Sequence, residues 1–173
     1  MWKISFVGHS QIPKHFSFPN TQVKIFRAPG ATARTFFEKS SLNKVLEWDH
    51  DLTILWLGSN DINDHTSPET IFNDIQNIIH EIKVNCHSVV YICQVEPRIK
   101  PRHISPEHYK QIQGGINKRI KKRLNTPNIH FNNLRFVEEL RDDGVHWNTA
   151  GRARVESKFK QVIKGFIGED IHL

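Results

Sequence analysis

Leu52-Thr53-Ile54-Leu55-Trp56-Leu57-Gly58-Ser59-Asn60-Asp61 is the stretch on which the fold turns. Its first six residues are almost all apolar and lack the alternation of a strand with one wet face. The strand they predict is therefore buried on both sides, as in a parallel sheet covered by helices. Gly-Ser-Asn-Asp then supplies turn residues at the carboxyl end of that strand, where open parallel sheets hold their ligands. Four further runs read as strands: Lys3 to Val7, Gln22 to Phe26, Ser88 to Gln94 and Asn128 to Phe131.

Helical patterns separate these runs at Ala33 to Leu46, Pro68 to Val84 and Pro106 to Leu124, and one more, Ala150 to Ile167, follows the last strand. Ser67-Pro68-Glu69 and Ser105-Pro106-Glu107 are start signals, a capping hydroxyl followed by a proline whose missing N–H costs nothing in the first turn. Ile71, Ile75, Ile78, Ile79 and Ile82 keep the 3.6-residue period, which predicts one face packed on the sheet. Gly114-Gly115 marks a kink or a close approach in the third helix. Strands alternating with helices predict an α/β fold, a three-layer α/β/α arrangement around a flavodoxin-like, five-stranded parallel sheet.

At 173 residues the chain is expected to form one domain spanning 1–173, with four tryptophans and eleven phenylalanines to fill its core. No apolar run approaches the roughly 20 residues of a membrane span, and the N-terminal apolar stretch is too short for a signal peptide. An intracellular, cytoplasmic or nuclear, protein is expected. Cys86 and Cys93 fall beside and within a strand, so Cys93 reads as a core thiol, and neither a disulfide framework nor a metal site is expected.

Four islands carry the chemistry. They are Gly8-His9-Ser10 after the first strand, Pro29-Gly30-Ala31-Thr32 after the second, Gly58-Ser59-Asn60-Asp61 after the third, and Asp143-Gly144-Val145-His146 near the C-terminus. Singly, each is an ordinary turn. Together they offer a hydroxyl at a strand end, a glycine that admits close backbone approach, an uncharged amide donor, and a histidine with a carboxylate three residues before it. A serine needs a base to take its proton, and an Asp-x-x-His turn can fix the tautomer that does so.

The order of these islands resembles that of the conserved blocks in the GDSL-type SGNH hydrolases, over nearly the whole chain. The resemblance implies the SGNH hydrolase fold and a serine esterase acting on carboxylic esters, acetyl or short acyl or lipid esters, with no cofactor. Ser10 would be the nucleophile and His146 the base, with Asp143 orienting it. Ser10, Gly30 and Asn60 would form the oxyanion hole. Asp142 competes for the orienting role, but its spacing to His146 does not match the family. One departure stands out: the family's first block usually carries an acid between glycine and serine, and here the residue is His9. The wording LWLGSND and PGATA is also similar to the esterase-like domains of some non-LTR retrotransposons.

The chain carries a net charge of +6, and the excess is uneven. Arg98, Lys100, Arg102, Lys110, Lys118, Arg119, Lys121, Lys122 and Arg123 face a single acid, Glu107, within that span. Such a stripe is either a solvated helix face or a surface for nucleic acid or anionic lipid. The second reading of the chain follows from it: an SGNH-fold module of weak or no activity that binds such polyanions. Specificity loops at Ile62 to Thr66 and Glu96 to Ser105 show no diagnostic residue.

Overall fold

The computed structural model describes residues 1–38, 40–131 and 139–171. In chain order the elements are β1 (Trp2–Gly8), β2 (Thr21–Arg27), α1 (Ala33–Glu38), α2 (Ser40–Leu46) and β3 (Leu52–Trp56). A single 3-10 turn (Ser59–Asp61), α3 (Pro68–Cys86), β4 (Val89–Cys93), α4 (Pro106–Arg123), β5 (Asn128–Ile129) and α5 (Thr149–Ile171) follow. All strand pairs are parallel, in the order β2-β1-β3-β4-β5. The chain thus moves from β1 outward to β2 and then crosses back to β3 on the other side. The loops after β1 and β3 diverge at this reversal, which opens a crevice at their carboxyl ends.

The pleat sorts the apolar strand residues onto two faces. Val7, Leu55, Val90 and Ile92 face α1 to α4 and pack with Phe36, Val45, Ile75 and Ile116. Ile4, Phe6, Ile54 and Trp56 face the other way, onto Val155, Phe159 and Ile163 of α5. This two-sided burial is why β3 shows no alternation of apolar and polar residues. Ser67 and Ser105 cap α3 and α4, accepting from the N–H groups of Thr70 at 3.2 Å and His108 at 3.1 Å. Gly115 marks a close approach: a Cβ there would lie 2.7 Å from Cγ of Pro68.

Three elements differ from their sequence-based expectation. The segment from Ala33 to Leu46 is two helices, the second opening on Ser40-Ser41, whose hydroxyls favour helix starts over interiors. Strand β5 stops at Ile129 because Phe131 leaves the sheet edge to stack on Trp56, with ring centroids 4.6 Å apart. Helix α5 begins at Thr149, with the Asn148 side chain accepting from the Gly151 N–H at 2.9 Å. That is a cap the sequence contained in plain view. Among the described residues no helix is long and apolar enough to cross a membrane.

Two features at the crevice generate stability predictions. A Cβ on Gly8 would lie 2.0 Å from the Trp56 carbonyl oxygen, so β1 and β3 sit together only because that position has no side chain. Replacing Gly8→Ala is expected to destabilise the fold by about 3 kcal/mol or more in urea unfolding; a variant as stable as wild type would contradict this account. Asp61, nearly buried, accepts from the first N–H of α1, at Ala33, with both oxygens at 3.0 Å. Burial, partly offset by that bond, raises its pKa from 3.8 to about 6. An acid raised in the fold keeps its proton there longer than in the unfolded chain, so its effect on stability turns unfavourable as pH climbs from 3.8 through about 6. Between about pH 4 and 7 the wild type is expected to lose on the order of 2 kcal/mol relative to Asp61→Asn. Parallel stability curves for the two proteins would refute this.

Candidate active site

Ser10 stands two residues past β1, in a turn held from three sides. Its carbonyl accepts from the Arg27 guanidinium at 3.0 Å, and the same guanidinium donates to Ile12 O at 3.2 Å. The Gln11 side chain donates to Val145 O at 2.8 Å, which ties the serine turn directly to the histidine loop. That loop is fixed in turn by the bridge between Leu140 and Trp147, by burial of Trp147, and by Ile99 N–H donating to Gly144 O at 2.9 Å.

The loop brings His146 to Ser10, 136 positions earlier, with Nε2 3.3 Å from Oγ. On the far side of the ring Nδ1 lies 2.8 Å from Asp143 Oδ2. A carboxylate only accepts, so the ring proton is on Nδ1, and Nε2 is left to accept from the serine hydroxyl. Asp143 Oδ1 also accepts from the N–H groups of Val145 and His146, each at 2.9 Å. Burial acts against ionisation of Asp143, but these bonds to the His146 segment outweigh it and hold the carboxyl well below the usual range. Asp142 contributes only its carbonyl, to Lys100 Nζ at 3.0 Å. Of the two neighbouring aspartates, Asp143 therefore contacts the ring.

Asn60 lies in the 3-10 turn after β3. Its Nδ2 donates to Ala31 O at 3.0 Å, which anchors the Pro29-Gly30 loop next to it, and Gly30 there has φ +76°. Its Oδ1 accepts from Arg98 at 2.8 Å. A guanidinium offers no acceptor, so Arg98 dictates which end of the amide is which: oxygen toward Arg98, nitrogen toward Ala31.

Arg98 belongs to a buried network that the sequence did not disclose. His9 is fully buried, turned away from Ser10, with Nδ1 accepting from Gln11 N–H at 3.2 Å. Its proton is therefore on Nε2, which lies 3.0 Å from Ser59 Oγ and 3.3 Å from Glu96 Oε1. Glu96, at 0% side-chain exposure, also accepts from Trp56 Nε1 at 2.8 Å. Arg98 donates to Ser59 Oγ at 2.9 Å and approaches Glu96 at 3.8 Å. Burial alone would push the Glu96 carboxyl up; the His9 ring and then the Arg98 guanidinium overcome it and hold it at about 2. Glu96, from the loop just past β4, thus lies against the Gly8-His9-Ser10 turn, 3.3 Å from the His9 ring, whose Nε2 is bonded to Ser59 Oγ.

Two expectations are corrected by this network. The loop from Glu96 to Ser105 does hold site-directed residues, Glu96 and Arg98. Arg98 also leaves the basic stripe, because its side chain is only 11% exposed and is committed to Ser59 and Asn60. Arg119 and Arg123 are held on Glu69, each at 2.8 Å, which leaves Lys110, Lys118, Lys121 and Lys122 as the exposed lysines of α4.

Beside Ser10 and His146 opens a hollow of about 480 Å³. Its apolar wall is Ile12, Pro13, Pro29, Trp147 and Val155. Among the described residues no group of three or more His, Cys, Asp or Glu side chains is placed to hold a metal ion.

Several solved structures share this architecture. The chain resembles a lipase/acylhydrolase from Enterococcus faecalis with a TM-score of 0.74 at 18% identity, covering 95% of this chain and 96% of that one. A carbohydrate esterase family 3 protein from Talaromyces cellulolyticus gives 0.73 at 16% identity, with 98% and 99% covered. The psychrotrophic esterase EstA from Pseudoalteromonas gives 0.69 at 10%, with 96% and 98% covered. Among curated proteins none matches the chain. The sequence model of the GDSL-like lipase/acylhydrolase family matches residues 10–154, from the serine of the first island to beyond the histidine of the last. With that match over most of its length and an SGNH-type sheet beneath it, the chain belongs to the GDSL-like lipase/acylhydrolase family of hydrolases.

Proposed function

We propose that the protein is a serine esterase in which Ser10 is the nucleophile, His146 the general base and Asp143 the group that orients it. The carrying observation is the unbroken bond chain from Ser10 Oγ to His146 Nε2 and from Nδ1 to Asp143. As Ser10 Oγ attacks an ester carbonyl, its proton passes to Nε2, and the imidazolium formed is stabilised by the Asp143 carboxylate. The negative charge appears on the former carbonyl oxygen. The N–H groups of Ser10 and Gly30 and the second N–H of Asn60 Nδ2 would receive it. The imidazolium then protonates the departing alcohol. Water, deprotonated by the same nitrogen, releases the acid from Ser10.

No metal or organic cofactor enters these steps. The modest hollow beside Ser10 suits acetyl or short acyl esters, or the head region of a lipid ester, by size. Binding of nucleic acid or an anionic surface through α4 draws less support, since Arg98, Arg119 and Arg123 are already engaged.

Two predictions follow from the proposed roles. Ser10→Ala and His146→Ala are expected to lower kcat on p-nitrophenyl acetate by about 10³-fold or more while keeping the wild-type circular dichroism spectrum. A folded Ser10→Ala protein as active as wild type would end the proposal. Arg98→Met, which frees the Asn60 amide to rotate, is expected to cut kcat about tenfold to a hundredfold with a smaller change in KM. If Arg98 acts through Asn60, the same change adds little in an Asn60→Ala background; additive losses would separate the two residues.

A further inference from the structure

The charge in the wall of the hollow is more specific than its size. Lys14, Arg27, Arg141 and Arg152 line it, and Glu156 is the single acid among the lining residues. Arg27 is half-buried and spends its donors on the serine turn, yet its charge stays beside the nucleophile. Lys14, Arg141 and Arg152 are exposed at the rim. Among the described residues, even with Asp143 added to the negative side, four full cations meet two carboxylates around one reacting centre. The floor beneath them is buried and apolar: Ile12 at 1% exposure, Trp147 at 2% and Val155 at 2%. Low-dielectric walls beneath a one-signed rim concentrate the field in the space between. A pocket for a plain acyl chain or a neutral alcohol has no use for this, and three exposed like charges around one opening repel one another unless an anion sits among them.

We propose that the natural substrate is an ester bearing an anionic group, carboxylate or phosphate, close to the scissile bond, received by Arg141, Arg152 and Lys14. This rests on the esterase reading above and deepens it. The ester carbonyl lies at Ser10, between the oxyanion donors and His146. The anion points away from Asp143, along the opening between the loop after β1 and the first turns of α5. Arg141 and Arg152 can each grip a carboxylate or phosphate oxygen pair, which fixes orientation as well as charge.

The test compares matched esters. Phenyl acetate is the neutral reference, 4-acetoxybenzoate and 4-acetoxyphenyl phosphate place the anion on the alcohol side, and p-nitrophenyl butyrate against mono-p-nitrophenyl adipate places it on the acyl side. The ratio of kcat/KM for anionic over neutral ester is read in wild type and in Arg141→Gln/Arg152→Gln, so that intrinsic reactivities cancel. A fall of about tenfold in that ratio is expected, for one of the two sides, with a comparable fall in wild type at high salt. A ratio unmoved by both the substitutions and salt overturns the proposal. A second arm needs no turnover: calorimetric binding of 4-acetamidobenzoate against acetanilide. Turnover without charge preference leaves the esterase and removes the anion site. Charge-selective binding, lost in the double variant, without turnover of any ester leaves the anion site and removes the esterase. Neither binding preference nor turnover removes both.

Discussion

Neutralising one carboxylate organises the catalytic end of this molecule. Glu96 has no exposed surface, and a bare carboxylate there would cost several kcal/mol. Its oxygens instead meet Trp56 Nε1 and the His9 ring, with Arg98 close by. Each of those partners belongs to a different part of the crevice: His9 to the serine turn, Trp56 to the end of β3, Arg98 to the loop after β4. Satisfying one buried charge therefore locks three loops to one another. The lock extends by one further bond each, through Gln11 to the histidine loop and through Arg98 to Asn60.

Division of labour between the two charged centres follows from their exposure. Asp143 and His146 sit half-exposed, in contact with solvent. Glu96 and His9 sit fully enclosed, with the His9 Nδ1 accepting from the Gln11 N–H. One pair opens onto the crevice and the other is sealed beneath it. The same residue types, an acid and a histidine, thus serve opposite ends because one pair keeps contact with water and the other does not.

What the sequence disclosed, and what it hid, divides along the range of the interaction. Gly8-His9-Ser10, Gly58 to Asp61 and Asp143 to His146 are readable because their geometry is local: a turn, a strand end, a three-residue spacing. The parallel sheet is readable because two-sided burial suppresses alternation in β3. Glu96 and Arg98 were invisible as a pair with Asn60, because the contact depends on β3 and β4 being neighbours, which no spacing encodes. By composition alone Arg98 falls in a basic stripe. Composition counts charges and does not say which way they face. Asn148 is a different case, a legible cap that lies ahead of the apolar period of α5.

The burial of His9 against Glu96 has a consequence for which replacements the two positions accept. A carboxylate introduced at position 9 would face the one already at 96, which the His9 ring now meets at 3.3 Å, and two like charges close together in a buried site repel. Removing Glu96 would leave the indole N–H of Trp56 without its acceptor, while Arg98 keeps Ser59 and Asn60. Either single change costs stability, and so two residues 87 apart in the chain constrain one another's chemistry.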